Sequence, residues 1–189
     1  MSFSITRTIT ENLPPDKIVQ YLLEDRGISV ADFMHPPHPK ALVFSDFFED
    51  KKQFEKNMKK TIKLLKKIKE KQGMIIVYCD YDADGITGGA VLWQTLHHLG
   101  FSVMPYIPDR KTEGYGFSKL GIDTIVEKYD PSLIISVDHG IVGHESITYA
   151  KEKNIPIIVT DHHQKASTDP EDAFAIFHTA TQSGGDYYP

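Results

Sequence analysis

Carboxylate and imidazole side chains gather in three short segments of this chain. They read Asp80-Tyr81-Asp82-Ala83-Asp84-Gly85, Asp138-His139-Gly140 and Asp161-His162-His163. Closely spaced aspartates repel one another, and a bound cation would neutralise them. Carboxylates mixed with imidazole suit manganese, magnesium or zinc, and a carboxylate shared by two ions suits a centre that activates water and stabilises an oxyanion. The three segments therefore predict a metal site.

Each segment also has a purely structural interpretation. The first would be an acidic turn in which Asp84 caps a helix, and Asp138 with His139 would belong to an ordinary loop. The metal site is favoured because dividing three such segments among unrelated roles needs several coincidences.

The three segments follow predicted strands. Apolar, often β-branched runs of strand length alternate with runs of helical length and apolar spacing. The predicted strands are residues 74–79, 102–107, 133–137, 156–160 and, as a candidate fifth, 173–177, and the helices between them are residues 85–99, 118–129 and 143–153. Strands that are apolar throughout are usually buried on both faces, so the pattern predicts an α/β fold with a doubly wound, mainly parallel sheet flanked by helices. Such sheets bind ligands at the carboxyl ends of their strands.

The region before these strands divides in two. Residues 1–50 combine a predicted short helix over 15–23 with a proline-rich stretch, and they predict a small amino-terminal arm. Residues 51–189 are predicted to form the main domain. Its first element is an amphipathic helix, since apolar residues recur every three or four positions from Phe54 until Gly73 ends the pattern.

Charge is distributed unevenly along the chain. The net charge of the 189 residues is −5, yet residues 51–71 contain ten lysines and two glutamates. This stretch could meet a polyanion beside an acidic metal centre. The alternative is the solvated face of a surface helix, which is the more frequent explanation of a lysine run taken alone.

Composition restricts the class of protein. Hydrophobic residues make up 40 % of the chain, which is enough for a buried core. The single cysteine, Cys79, excludes an internal disulfide and a cysteine-rich zinc site and favours a reducing compartment. The first thirty residues contain four acidic residues and no long apolar run. We therefore expect neither a signal peptide nor a membrane span, and a cytoplasmic location.

A glycine-bounded loop over residues 108–116 adds candidate groups. Arg110 suits bidentate contact with a phosphate, Lys111 adds a second cation, and Tyr115 could stack on a base. The alternative is a surface loop whose glycines serve only the turn. Three further glycines would either let the backbone approach a phosphate or allow tight packing of helix on sheet. These are Gly85, Gly88 and Gly89.

The order of these motifs resembles that of a known family. A strand followed by DYDADGIT, then PDRKTEGYG, SVDHGI and the DHH at residues 161–163 are similar to the ordered motifs of RecJ-type single-stranded-DNA exonucleases of the DHH phosphoesterase superfamily. Arg26-Gly27-Ile28 also resembles a segment of that family's arm. The resemblance covers most of the chain.

The resemblance implies a role for each candidate residue. It implies a two-metal centre with Mn²⁺ or Mg²⁺, in which Asp82 and Asp84 bind separate ions, Asp138 bridges them, His162 completes a coordination sphere and Asp80 ligates or orients a ligand. His163 would contact the scissile phosphate and Asp161 would hold a histidine in its working tautomer. His139 aligns with a position that is often another residue in the family.

The resemblance also implies a substrate. We expect metal-dependent hydrolysis of single-stranded DNA from the 5′ end, in DNA repair and recombination. The alternatives are a DHH phosphodiesterase acting on oligonucleotides or cyclic dinucleotides and a catalytically incomplete module that binds nucleic acid or a partner. Family members continue beyond this region into another metal-binding aspartate and a second domain, so we expect a DHH-type catalytic domain truncated at its carboxyl end, with a missing domain or a partner subunit. Where the family has an Asn-Pro element, this chain has His178, whose role stays open.

Overall fold

The computed structural model describes residues 12–35, 38–41, 50–114 and 116–179. The chain forms two compact units, Met1–Val43 and Phe44–Pro189. In the first unit, helices α1 (Pro15–Glu24) and α2 (Val30–Met34) precede a 3-10 turn at Pro39–Ala41. Within the described part of the chain, no helix combines the length and the apolar character that a membrane span requires.

The second unit is built on a five-stranded sheet. Its strands are β1 (Ile75–Cys79), β2 (Val103–Tyr106), β3 (Leu133–Val137), β4 (Ile157–Asp161) and β5 (Ala175–His178). They lie in the order β2-β1-β3-β4-β5, and every neighbouring pair is parallel. The predicted α/β fold with a parallel sheet is confirmed. The strand order reverses between β1 and β3, which is the position where such sheets bind ligands.

Helices cover both faces of this sheet. Side chains such as Val77 pack with helices α3 (Lys51–Glu70) and α4 (Ala83–His98) on one face. Ile76 and its neighbours pack with α5 (Lys119–Tyr129) and α6 (His144–Glu152) on the other. Burial on both faces explains why the strands are apolar throughout rather than alternating. Each fully buried side chain contributes roughly 1.5–3 kcal/mol to stability.

Side-chain caps set the starts of two of these helices. Ser118 Oγ accepts a hydrogen bond from Gly121 N–H at 3.0 Å and begins α5. Asp50 Oδ1 accepts from Gln53 N–H at 2.9 Å and begins α3, three residues before the apolar spacing that starts at Phe54. Capping satisfies backbone donors that the first turn leaves without partners, so a helix can extend into a polar sequence.

Candidate metal centre

The three polar segments meet at one edge of the sheet. The neighbouring strands β1, β3 and β4 lead to Asp80, Asp138 and Asp161. The hydrogen-bond ladder continues to the polar residues themselves, since Asp80 N–H donates to Val137 O at 3.1 Å and Asp138 N–H donates to Thr160 O at 2.9 Å. The backbone of this edge is therefore held in register, and it includes the boundary where strand order reverses.

The loop after β1 holds two aspartates in different environments. Asp80 is buried, and its Oδ1 accepts a hydrogen bond from Tyr81 N–H at 2.7 Å. Asp82 is the N-cap of α4, and its Oδ1 accepts from Gly85 N–H at 3.0 Å and from Asp84 N–H at 3.1 Å. The hydrogen bond from Gly85 is the largest cause that holds the pKa of Asp82 below its usual range. Asp82 is therefore a charged carboxylate at neutral pH.

Helix α4 lies directly against β1 because glycines remove side chains from the contact. A Cβ on Gly85 would lie 2.5 Å from Asp80 O, and a Cβ on Gly89 would overlap Cys79 Sγ. Both positions exclude any larger residue without a shift of the backbone or its neighbour. The structure supports the packing interpretation of these glycines, and the close approach sets the position of Asp82.

Asp138 has an unusual backbone conformation at the end of β3. Its φ of 66° lies in the left-handed region, which non-glycine residues seldom adopt and which concentrates at functional sites. The side chain is buried, with Oδ1 2.9 Å from His162 Nε2, while Oδ2 has no hydrogen-bond partner among the described residues. Burial raises the pKa of Asp138 to about 6, with His162 opposing the rise and Asp82 adding to it. A buried carboxylate oxygen without a partner is suited to a cation.

Asp161 orders the segment after β4. Its Oδ1 accepts hydrogen bonds from His162 N–H at 2.7 Å, His163 N–H at 3.0 Å and His163 Nδ1 at 2.8 Å, and its Oδ2 accepts from Ile141 N–H at 2.9 Å. Burial favours the neutral acid, but the backbone donors outweigh it and hold the pKa of Asp161 below its usual range. Burial likewise opposes the charged form of His163, yet the hydrogen bond to Asp161 holds the pKa of His163 above its usual value. Nδ1 of His163 therefore carries a proton.

The ligand atoms form two groups that share Asp138. One group joins Asp138 with His162 and His163, and the other joins it with Asp80 and Asp82. Within each group the ligand atoms all lie within 4.8 Å of one another. Carboxylate and imidazole donors suit manganese and related divalent cations, and the partnerless Oδ2 of Asp138 supplies a buried oxygen for one. The residues present therefore fit a pair of divalent ions.

His139 packs against buried neighbours at this edge of the sheet. Its Nε2 lies 3.0 Å from Tyr78 O, and because a carbonyl only accepts, Nε2 carries the proton. The ring packs on Tyr78 and Phe117, with centroids 5.0 Å and 5.8 Å apart. Burial lowers the pKa of His139 to about 4, so the imidazole is neutral near pH 7. These contacts favour a structural role.

The loop after β2 brings Arg110 to the loop after β1. The guanidinium carbon of Arg110 lies 5.0 Å from the centroid of the Tyr81 ring, within cation–π range. Glu113 orders this loop, because its carboxylate accepts from Tyr106 O–H at 2.6 Å and from Asp109 N–H at 3.1 Å. The exposed Arg110 therefore places a cation beside the acidic loop.

Sequence comparison identifies the family of the region that contains these residues. A model of the DHH family, N-terminal domain, matches residues 74–185, which include all three polar segments. The chain belongs to the DHH family. The chain is also similar to the single-stranded-DNA-specific exonuclease RecJ of Bacillus subtilis, with 38 % identity over 176 residues that cover 91 % of this chain and 21 % of that protein. RecJ of Thermus thermophilus is 38 % identical over 115 residues, or 61 % of this chain and 17 % of that protein.

Two solved structures share the DHH fold seen here. One is a crystal structure of exonuclease RecJ bound to manganese, with a TM-score of 0.56 and 37 % identity over 64 % of this chain and 30 % of that one. The other is RecJ from Thermus thermophilus in complex with Mn²⁺, with a TM-score of 0.57 and 28 % identity over 82 % of this chain and 20 % of that one. The resemblance to RecJ-type nucleases is confirmed. The chain spans about a fifth of the length of the curated relatives it matches.

The DHH domain brings together most of the predicted site residues. The two ligand groups contain Asp80, Asp82, Asp138, His162 and His163. Asp84 is exposed in the first turn of α4 and belongs to neither group found among the described residues, so its role as a ligand stays a prediction. Lys111 is exposed in the loop after β2, and Tyr115 lies outside the described residues.

The structure adds residues that the sequence did not single out. Tyr81 stacks against Arg110, and Ile141 supplies the backbone N–H that Asp161 Oδ2 accepts. The position of Tyr81 between two aspartates was a sequence signal that could have identified it as a site residue. Ile141 acts through its backbone N–H, and no residue type indicates such a contact. His178 is the last residue of β5, and its Nε2 donates to His163 O at 2.7 Å, so it lies directly beside the centre.

Proposed function

We propose that this chain is a metal-dependent phosphodiesterase that degrades single-stranded DNA from its 5′ end. The observation that carries the proposal is Asp138, a buried carboxylate shared by two groups of ligand atoms at the edge where strand order reverses. The similar proteins of Bacillus subtilis and Thermus thermophilus are single-stranded-DNA-specific exonucleases, and the similar RecJ structures hold manganese. The cofactor we propose is a pair of Mn²⁺ or Mg²⁺ ions.

The ligand assignment follows the two groups. Asp80 and Asp82 would hold one ion, His162 would hold the other, and Asp138, which belongs to both groups of ligand atoms, would contribute to both. Divalent ions held there would polarise a water molecule and neutralise the charge that develops on the phosphoryl oxygens. The aspartates also explain why the site favours cations, since their mutual repulsion is relieved only by positive charge.

His163 is suited to contact the scissile phosphate. Asp161 holds its Nδ1–H, so Nε2 is the ring atom left for a ligand, and the raised pKa favours a protonated, donating imidazolium. Arg110 supplies a second cationic donor from the neighbouring loop. In hydrolysis the water oxygen joins phosphorus while the bond to the 3′ oxygen of the terminal nucleotide breaks, and that oxygen takes up a proton as it leaves.

The proposed strand contacts extend beyond the DHH domain. The matched region covers only 21 % of the Bacillus subtilis relative and 17 % of the Thermus thermophilus relative. A further domain or a partner subunit is therefore proposed to help hold the strand, with Lys111 and Tyr115 contributing from this chain.

Hydrolysis of an end-labelled oligonucleotide tests the proposal. With Mn²⁺, the chain should release labelled mononucleotide from a 5′-labelled single strand, and EDTA or the Asp138→Asn change should abolish the release. The matched variant Asp130→Asn changes an exposed aspartate that also has a left-handed φ, of 46°, and it should keep full activity. Equal rates for Asp138→Asn and the unchanged chain, or no metal-dependent release, would refute the proposal. Preferential cleavage of cyclic dinucleotides would assign the site to the alternative substrate class.

A further inference from the structure

The lysine-rich helix α3 begins at the edge of the sheet that holds the metal centre. Asp50 at its N-cap and Gln53 in its first turn line a cavity of about 490 Å³ together with His178. His178 Nε2 in turn donates to His163 O at 2.7 Å. The first turn of α3 and His178 therefore line the same cavity, and His178 contacts the backbone of His163.

From this edge α3 runs along β5 in the opposite direction to the strand. Later residues of the helix contact earlier residues of the strand and of the segment before it, as expected for two antiparallel elements. Phe54 and Phe177 have ring centroids 5.9 Å apart, Asn57 Nδ2 donates to Ile176 O at 2.8 Å, and Lys60 Nζ lies 5.2 Å from the centroid of the Phe174 ring. The helix axis thus leads away from the metal centre along the flank of the domain.

The outward face of the first three turns is a shallow, positive depression. Its volume is about 470 Å³, and five of the described residues that line it are lysines while one is a glutamate. They are Lys52, Glu55, Lys56, Lys59, Lys60 and Lys63. Glu55 Oε2 lies 3.9 Å from Lys59 Nζ, and both side chains are well exposed, so this pair contributes little stability.

The positive charge of the depression is not balanced from within the described part of the chain. Lys52, Lys56 and Lys63 form no salt bridge with a described residue. Burial, and next the charge of Lys56, lower the pKa of Lys60. Glu55 is the one acidic residue among the six described residues that line the depression, so five protonated lysines leave it with a net charge of +4, which an anion would neutralise.

Four of these lysines form a straight row on the helix. Lys52, Lys56, Lys59 and Lys63 follow at intervals of four, three and four residues, which places them on one face. At 1.5 Å per residue the row is about 16 Å long. A stacked single strand advances about 3.4 Å per nucleotide, so the row can meet up to about five phosphates.

We propose that this row, the lysine strip Lys52, Lys56, Lys59 and Lys63, binds the phosphate backbone of the single-stranded nucleic acid whose end enters the metal centre. The identity of the polyanion rests on the proposed function, whereas the direction of the path rests on the geometry of α3. The strip starts next to Asp50 and Gln53, which line a cavity with His178, and it leads the strand away from the metal centre. A path of this kind binds without regard to sequence, as a nuclease that consumes a strand requires.

The test replaces all four lysines of the strip with glutamine. Glutamine has nearly the helix propensity of lysine, so α3 should persist, and circular dichroism checks that it does. The matched control replaces four exposed lysines of the opposite face of the sheet with glutamine, which changes the net charge by the same amount. These are Lys119, Lys128, Lys151 and Lys153. Binding of a fluorescein-labelled single-stranded 20-mer is measured by anisotropy in EDTA at several salt concentrations.

The strip variant should show a flatter salt dependence than the control. Each lost phosphate contact removes about 0.7 from the slope of log K against log salt, so four contacts reduce it by up to about 3. At 0.1 M salt the affinity should fall about 30- to 100-fold, whereas the control should stay within about threefold of the unchanged chain. A slope equal to that of the control variant would overturn the proposal, as would equal losses in both variants. The binding experiment contains no metal, so it does not depend on nuclease activity. The nuclease proposal is tested separately, by measuring hydrolysis by the unchanged chain.

Discussion

Asp138→Asn should be more stable than the unchanged chain without metal and less stable than it in the presence of Mn²⁺. Asparagine keeps the shape of the side chain and an oxygen for His162, but it removes a buried charge. The pKa of Asp138 rises from 3.8 to about 6 on folding, so between these values the folded chain binds more protons than the unfolded chain. Stability therefore falls as pH rises through this window, and the full cost of the charge is present above pH 6.

The size of the effect follows from that window. An interval of about two pH units corresponds to roughly 3 kcal/mol at 1.36 kcal/mol per unit. The amide nitrogen that replaces the partnerless Oδ2 also lacks a partner, which costs about 1 kcal/mol. Asp138→Asn should therefore stabilise the metal-free chain by about 2 kcal/mol at pH 8, which is a rise in Tm of about 4–8 °C for a domain of this size.

Manganese should invert this order. An ion present at 100 times its Kd stabilises the unchanged protein by about 2.7 kcal/mol, and the variant gains nothing if its ligand groups are lost. Thermal melts followed by circular dichroism, in EDTA and in Mn²⁺, measure both effects. Asp130→Asn is the matched control, and it should follow the unchanged protein in both buffers. The reasoning is refuted if Asp138→Asn is no more stable than the unchanged chain in EDTA, or if Mn²⁺ stabilises both equally.

Three further predictions concern the centre and its support. His162→Ala should weaken Mn²⁺ binding at least about tenfold, whereas His163→Ala should lower turnover about 100-fold or more with little change in metal affinity; equal losses of affinity would make His163 a ligand instead. Gly89→Ala should lower the free energy of unfolding by about 1–3 kcal/mol in urea, because the new Cβ meets Cys79 Sγ, and an unchanged midpoint would contradict that contact. Burial raises the pKa of Cys79 to about 11, so a thiol reagent at pH 8 should label Cys79 only as the chain unfolds; rapid labelling of the folded chain would contradict its burial.

Strand positions were predictable because double-sided burial leaves a continuous apolar run. The predicted strand over 133–137 is observed as Leu133–Val137. The last two strands differ from expectation, since β4 extends to Asp161 and β5 to His178, and these two residues pair in the ladder. A polar residue that completes a ladder does not appear in an apolar pattern. Similarly, α4 starts before the expected Gly85, because Asp82 caps it.

The ligand types were predictable, but their geometry was not. Side-chain chemistry and spacing were enough to indicate a metal centre at the strand ends. The left-handed conformation of Asp138 was hidden, because residue type predicts that conformation mainly for glycine. His162 pairs with Asp138, whereas His163 pairs with Asp161. This difference depends on the hydrogen bonds of Asp161, which form only once β3 and β4 are adjacent. Strand order has no signal in the apolar pattern of a single chain.

A calorimetric titration of manganese into the metal-free chain tests the shared carboxylate most directly. The geometry of the two ligand groups predicts two ions per chain, and it predicts that Asp138→Asn binds neither at the same concentrations, because both groups include Asp138. The exposed Asp130→Asn variant should retain both ions. Unchanged stoichiometry and affinity in Asp138→Asn would contradict a centre built around that residue.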